Sequence, residues 1–305
     1  MLILAGIVVM QGDPDDNVSM SGVMELVGDA HRSAVKPAMV ATRVSIAEEQ
    51  EVGNRLANQM HFWSSNNDSE EFNLRQAYIE KVGNSLLKGL ARPEIKYSFH
   101  LIDQSMVNAF AIPGHVYVFN GLIDFVESEA ELAVILGHEI MHVDARHCIE
   151  LFQAEMAAEK ITGPILGNSK WISRIGMRIA SRVIQGGYRK FQEFEADSGG
   201  LSMAVAAGYD PRAGETVMKR LGEKFGDKKP ASKAKDPVEE LRRAVFTAAG
   251  SFYSSHPPTH ERAGRLHTIG NRLTIKGNAY YRGVENLKQL QTKQQMLLDS
   301  ELVTY

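Results

Sequence analysis

This 305-residue sequence predicts an α+β domain, mostly helical, with a small mixed sheet laid over a central helix. Three observations carry the prediction. Several segments repeat apolar residues at helical spacing, three short alternating runs follow one another between 95 and 120, and a capped apolar helix starts just after them. The composition is that of an ordinary globular chain, 44% hydrophobic and 23% charged, with a formal net charge of −3. That charge balance gives no basis for a nucleic-acid partner. A chain of this length buries a substantial core without staples. Its one cysteine, Cys148, excludes an internal disulfide and a cysteine-based metal site.

The elements follow in order. Leu2 to Met10 is apolar but too short to span a bilayer, and no Lys or Arg precedes it. It reads either as the remnant of an anchor or as a strand packed on the domain. Gln11 to Asp16 is a turn-rich break, and residues 1–43 are expected to form an N-terminal extension. Val44 to Met60 is helical, with Ser45 as cap and Glu48 three residues later. Phe72 to Leu90 is a second helix, marked by Leu74, Ala77, Tyr78, Val82 and Leu86. Ile95 to Ile102, Val107 to Ile112 and His115 to Asn120 read as strands, the last two joined by a Pro113-Gly114 turn.

Ser128 and Glu131 form an expected capping box ahead of the apolar run Leu132 to Ile140. Glu159 to Gly187 is amphipathic, with Ile165, Trp171, Ile172, Ile175, Ile179 and Val183 set against Lys170, Arg174, Arg178 and Arg182. Packing on the core is the plain reading of that stretch; peripheral contact with anionic lipid is the alternative. A helix from Tyr188 to Ala207 ends at Gly208, and residues 223–237 read as a mobile, charged loop. Val284 to Leu302 is expected to be a Gln-rich helix for packing or an oligomer contact. The main domain is therefore placed at 44–275, followed by a helical tail over 276–305.

The chemistry is carried by His138-Glu139-Ile140-Met141-His142. Histidines four apart on a helix share one face, so both imidazoles can reach one Zn²⁺. Glu139 lies beside the metal rather than on it, which suits a carboxylate that takes a proton from an activated water. The motif is short, and the plain alternative is a pair of hydrogen-bonded core histidines. A catalytic zinc needs a third protein ligand, here supplied by Glu193-Phe194-Glu195-Ala196-Asp197. Glu193 and Asp197 share a helix face, whereas Glu195 lies about 200° round from Glu193. The choice is between a Glu193/Asp197 pair, with Asp197 orienting a ligating histidine, and a lone Glu195. The separation from the motif is 193 − 142 = 51 residues, room for an intervening helix. His147 would lie about 140° round from His142 on a continuing helix, so it reads as a packing neighbour of the site rather than a ligand. Cys148 reads as a small buried hydrophobe.

Taken together, HEIMH, EFEAD and Ala207-Gly208-Tyr209-Asp210-Pro211 resemble the M48 family of metallopeptidases. Asn108-Ala109-Phe110-Ala111-Ile112-Pro113-Gly114, Ser255-His256-Pro257-Pro258, Arg262, Gly53 and Gly83 extend the resemblance over Val44 to Leu266. It implies a zincin-like fold and one zinc per chain held by His138, His142 and Glu193, with Glu139 as the base and Asp197 as companion of the ligands. It places His256 beside the zinc, either stabilising an oxyanion or filling the fourth position, and Arg262 as a tether for the His256 segment. The sequence departs from the family pattern at His115, where a second glycine is usual; an exposed imidazole at the cleft mouth is expected.

A peptide substrate is expected to bind as an added strand on the edge at 108–120, with Asn108, Ala109 and Phe110 as contacts. The resemblance implies an endopeptidase acting on misfolded or envelope proteins, and it favours the cell envelope; the missing signal keeps the cytoplasm open. A zinc-stabilised chaperone-like or adaptor module with an idle site is the rival reading, and an aminopeptidase the third.

Overall fold

A computed structural model describes residues 44–60, 67–158, 176, 178–179, 187–225, 256 and 260–305. The N-terminal extension, most of the amphipathic stretch 159–187, the charged loop beyond Phe225, and Ser255, Pro257 and Pro258 lie outside the described residues.

Helix α1 (Ile46–Gln59) has the full expected capping box: Glu48 N–H donates to Ser45 Oγ, and Ser45 N–H donates to the Glu48 carboxylate. Helix α2 (Glu70–Leu86) follows. Strands β1 (Ser98–Ile102), β2 (Ala109–Ile112) and β3 (His115–Phe119) form a mixed sheet in the order β1-β3-β2, parallel between β1 and β3 and antiparallel between β2 and β3. The 113–114 turn closes the hairpin, with Gly114 in the left-handed region at φ 76°.

Alternation along the strands buries both faces of the sheet. Phe99, Leu101, Ala109, Ala111, Val116 and Val118 join the apolar residues of α2 and of the central helix α4 (Glu129–Asp144). Phe110, Ile112, Tyr117 and Phe119 face Val52 and Leu56 of α1 and Ile149, Phe152 and Met156 of α5 (His147–Ala158). The short helix α3 (Asn120–Phe125) joins the sheet to α4.

Two expectations need correction here. The stretch 108–120 is not one edge: β3 is the central strand, and only β2 has an outer side. His115 is not exposed at a cleft mouth. It is 9% exposed, stacks on His100 and faces Asn54 Oδ1 at 3.0 Å, and burial lowers its pKa to about 4. Position 115 alternates with the buried Val116 on a two-sided sheet, so no strand residue there reaches solvent.

The start of α4 is held differently from the expected box. Glu131 N–H does donate to Ser128 Oγ. The Glu131 carboxylate, however, accepts from Glu127 N–H and pairs with Arg220 of α7 (Ala213–Phe225). The next free amides, Glu129 and Ala130, donate to the carbonyls of Gly283 and Arg282 in the C-terminal tail. That tail is not one long helix. Its one α-helix is Val284–Gln289 (α9); Leu290 then turns left-handed at φ 52°, a single 3-10 turn follows at Asp299–Glu301, and β5 (Leu302–Thr304) returns to pair with β4 (Ala279–Tyr281). Buried Glu301 accepts the first amides of α9, and Tyr281 and Asn286 hold the intervening loop.

Helix α6 (Lys190–Ala206) crosses α4 in the most extensive helix–helix contact of the fold, and α8 (His260–Leu273) packs on α6 and α7. Gly137 and Gly200 meet backbone to backbone at the crossing. A Cβ on Gly200 would lie 2.4 Å from His138 N, and one on Gly137 2.6 Å from Gly200 O. Backbone cannot yield as a flexible side chain does, so Gly200→Ala must push α6 away from α4. The expected loss is about 1–3 kcal/mol in denaturant unfolding, together with weaker metal binding. Unchanged values for both would show that the crossing tolerates a methyl group.

Candidate metal centre

The crossing of α4 and α6 sets two i, i+4 pairs against each other: His138 and His142 on α4, Glu193 and Asp197 on α6. His138 Nε2 and His142 Nε2 are 3.0 Å apart, and the Glu193 carboxylate lies 3.5 and 3.6 Å from them. His256 Nδ1 approaches from outside both helices, 3.1 Å from His138 Nε2 and 3.0 Å from Glu193 Oε2. All four side chains are buried, and they form the one metal-competent group among the described residues. Ligand bonds of about 2.0–2.1 Å in a tetrahedron put donor atoms about 3.3 Å apart, so three protein donors and a fourth position fit one small divalent ion.

Each donor has a partner that aims it. His138 Nδ1 faces Asp197 Oδ1 at 3.1 Å, and Arg262 grips the same carboxylate through Nε at 2.8 Å and Nη2 at 2.7 Å. Arg262, 1% exposed on α8, also reaches Glu193 Oε2 at 3.1 Å and donates to the His256 carbonyl. It joins the His256 backbone to Asp197 and Glu193 and sets one cation against two buried carboxylates. His142 Nδ1 faces His147 Nδ1 at 2.8 Å, and the Tyr188 ring stacks on His142 at 4.0 Å.

The electrostatics follow from burial and these partners. Burial would raise the Glu193 carboxyl, but His256 and Arg262 more than offset it and hold the group well below its usual range. Burial acts on Asp197 in the same sense, and Arg262 overrides it, leaving the carboxyl lowered. Burial opposes a charge on His138, yet Asp197 and Glu193 raise its pKa to about 9. His142 is driven well below its usual value by burial and by the His138 charge. Glu139 is 0% exposed, and neither carboxylate oxygen has a hydrogen bond among the described residues; His256 Nε2 lies 3.3 Å from Oε1. Burial pushes this carboxyl up, opposed by His256 and His138.

Glu195 is not in the ligand cluster; its carboxylate lies 3.4 Å from His147 Nε2. His147 touches His142, by a route that sequence phase misses. Helix α4 stops before Arg146, whose φ of 66° redirects the chain and folds His147 back onto His142. Tyr188 carries no sequence signal for its place. Asn108, Ala109 and Phe110 lie outside the cluster: Asn108 and Ala109 lead β2 over α4, and Phe110 turns its ring away to stack on Tyr117. Cys148 is buried, and burial pushes its thiol up to about 12, as fits a small hydrophobe.

Arg262→Leu would leave two buried carboxylates without their cation. In metal-free protein, unfolding by denaturant should show a loss of about 3–5 kcal/mol. A loss no larger than that of a surface arginine would mean that the guanidinium does not balance the site.

Comparison with known proteins agrees with this geometry. Residues 73–269 match the profile of Peptidase family M48. The chain is 31% identical over 180 residues to the Mitochondrial metalloendopeptidase OMA1 of Arabidopsis thaliana, covering 56% of this chain and 31% of that protein. It is 25% identical over 193 residues to the Beta-barrel assembly-enhancing protease of Yersinia pestis, covering 59% and 40%. It is 26% identical over 216 residues to the protein of that name in Escherichia coli, covering 66% and 43%. The chain thus spans less than half the length of each of these relatives. A family match over most of the chain, on a mostly helical α+β fold with a buried His/His/Glu cluster, places it in peptidase family M48, a family of metallopeptidases.

Proposed function

We propose that this chain is a zinc-dependent endopeptidase. One observation carries the reading: His138 Nε2, His142 Nε2 and Glu193 converge within 3.0–3.6 Å beside Glu139, a buried carboxylate whose oxygens have no hydrogen bond among the described residues. Imidazole and carboxylate donors at tetrahedral spacing suit zinc. Bound there, zinc supplies a Lewis acid that lowers the pKa of water from about 15.7 toward 7 and polarises a carbonyl.

The remaining steps fall to the chain's own residues. Glu139 accepts the proton of the attacking water and returns it to the leaving amine. Asp197 holds the His138 ring, and Arg262 holds Asp197, Glu193 and the His256 backbone together. The substrate pairs with the outer side of β2. Asn108 O accepts from Phe119 N–H, so alternation directs the amides and carbonyls of Ala109 and Ala111 outward; the Ala109 amide is taken by Asn108 Oδ1. Ala111 therefore carries the main-chain groups with which an added strand would pair, flanked by Asn108, Ala109 and Phe110; all four are buried in this structure, so pairing requires that side of β2 to be uncovered. Backbone pairing of this kind suits cleavage within a chain.

Misfolded or envelope proteins are the proposed substrates and the cell envelope the proposed location; one relative is named for β-barrel assembly and another for the mitochondrion. No helix among the described residues is long and apolar enough to cross a membrane; the basic stretch 159–187, to which peripheral contact is ascribed, lies almost wholly outside them. The second reading, an idle module with adaptor or chaperone-like use, is favoured by the place of His256. Its Nδ1 lies with the other donors, where it can fill the fourth position.

Casein degradation, with bound zinc measured alongside, tests both readings. Glu139→Gln should keep its zinc and lose activity by about 10²–10⁴-fold; equal activity in the two proteins would overturn the mechanism. His256→Ala should keep its zinc. A rise in turnover marks His256 as an occluding donor, a fall marks it as an oxyanion partner, and zinc loss as deep as in Glu193→Ala would make it an essential ligand.

A further inference from the structure

Asp197 and Arg262 account for the orientation of His138, but the mechanism assigns nothing to the buried chain of groups behind His142. His142 Nδ1 faces His147 Nδ1 at 2.8 Å, and the far side of that imidazole, Nε2, lies 3.4 Å from Glu195 Oε2. His147 is 1% exposed, while the Glu195 side chain is 34% exposed at the outer end. Tyr188 stacks on His142 with ring planes 18° apart and borders His147 at 5.7 Å.

We propose that His147, backed by Glu195, is the positioning residue of His142, fixing its tautomer and ring angle and so its hold on the metal. The inference rests on the reading that His138, His142 and Glu193 bind the metal. With His142 Nε2 turned to the other donors, its proton sits on Nδ1 and is donated to His147 Nδ1. His147 then carries its own proton on Nε2 and donates it toward Glu195. Each imidazole needs one proton, and every ring nitrogen in the chain has a use. Tyr188 blocks the rotation that would break the alignment.

The two histidines are thus held from the same helix by different means. Asp197 reaches His138 directly at 3.1 Å, and Glu195 reaches His142 through an intervening imidazole. Residues 193, 195 and 197 of α6 divide into ligand, relayed support and direct support. A carboxylate behind a ligating imidazole makes the ring a stronger donor, and losing such support commonly costs about 10–100-fold in metal affinity.

The test is zinc affinity by chelator competition, with the absorption spectrum of the cobalt-substituted protein as a record of ligand geometry. His147→Leu should bind zinc about 10–100-fold more weakly and shift the cobalt bands. His147→Asn, which sets a carbonyl near the Nδ1 position, should recover most of that loss. Glu195→Gln lies on a partly exposed side chain and keeps the test open should His147→Leu not fold; it should weaken binding by about 10-fold. Zinc held as tightly by His147→Leu as by the wild type overturns the inference, as does His147→Asn being no better than His147→Leu. A wild type that takes up no zinc overturns the metal reading itself, and this inference with it.

Discussion

The structure depends on one close contact: the meeting of α4 and α6 at Gly137 and Gly200. Without side chains between them, the two backbones come near enough for residues one turn away to share a site. His138 follows Gly137, and Asp197 precedes Gly200 by three residues, so the contact that sets the helix separation also sets the ligand separation. The histidines come from one helix and the carboxylates from the other, and helical phase keeps each pair on its inner face. A metal bound between them would staple a crossing that packing has already made.

Burying so much charge is costly, and the fold offsets it by pairing. Arg262 answers Asp197 and Glu193, and its bonds run through α8 to the backbone of His256. The first turn of α4 is anchored as firmly as its metal end. Glu129 is buried there and accepts the hydroxyls of Tyr78 and Tyr209 and the amide of Lys293, while Gly283 and Arg282 take the free amides of the helix start. The tail beyond the family match therefore helps to hold the helix that carries the site.

Much of this was legible in the sequence. The capped helix under HEIMH, the three short strands and the shared face of Glu193 and Asp197 are local properties, set by spacing within one element, and they appear as read. What could not be read depends on contacts across the chain. Glu131 serves Arg220 as well as its own helix start because α7 brings the arginine there. His147 reaches His142 because Arg146 breaks the helix, a backbone choice that periodicity does not show. His115 is buried because β3 is central, and strand order is not written in alternation. The Gln-rich stretch 284–302 reads as one helix, yet buried hydrogen bonds from Tyr281, Asn286 and Glu301 hold most of it as loop and strand.

The claim at the centre is that the α4–α6 crossing presents His138, His142 and Glu193 to a single zinc ion. Anomalous diffraction at the zinc edge, on crystals grown from protein purified without chelators, tests it most directly. One zinc per chain is expected, bonded at about 2.0–2.1 Å to Nε2 of both histidines and to the Glu193 carboxylate. No zinc between the helices, or zinc bonded to Glu195 in place of Glu193, would contradict it.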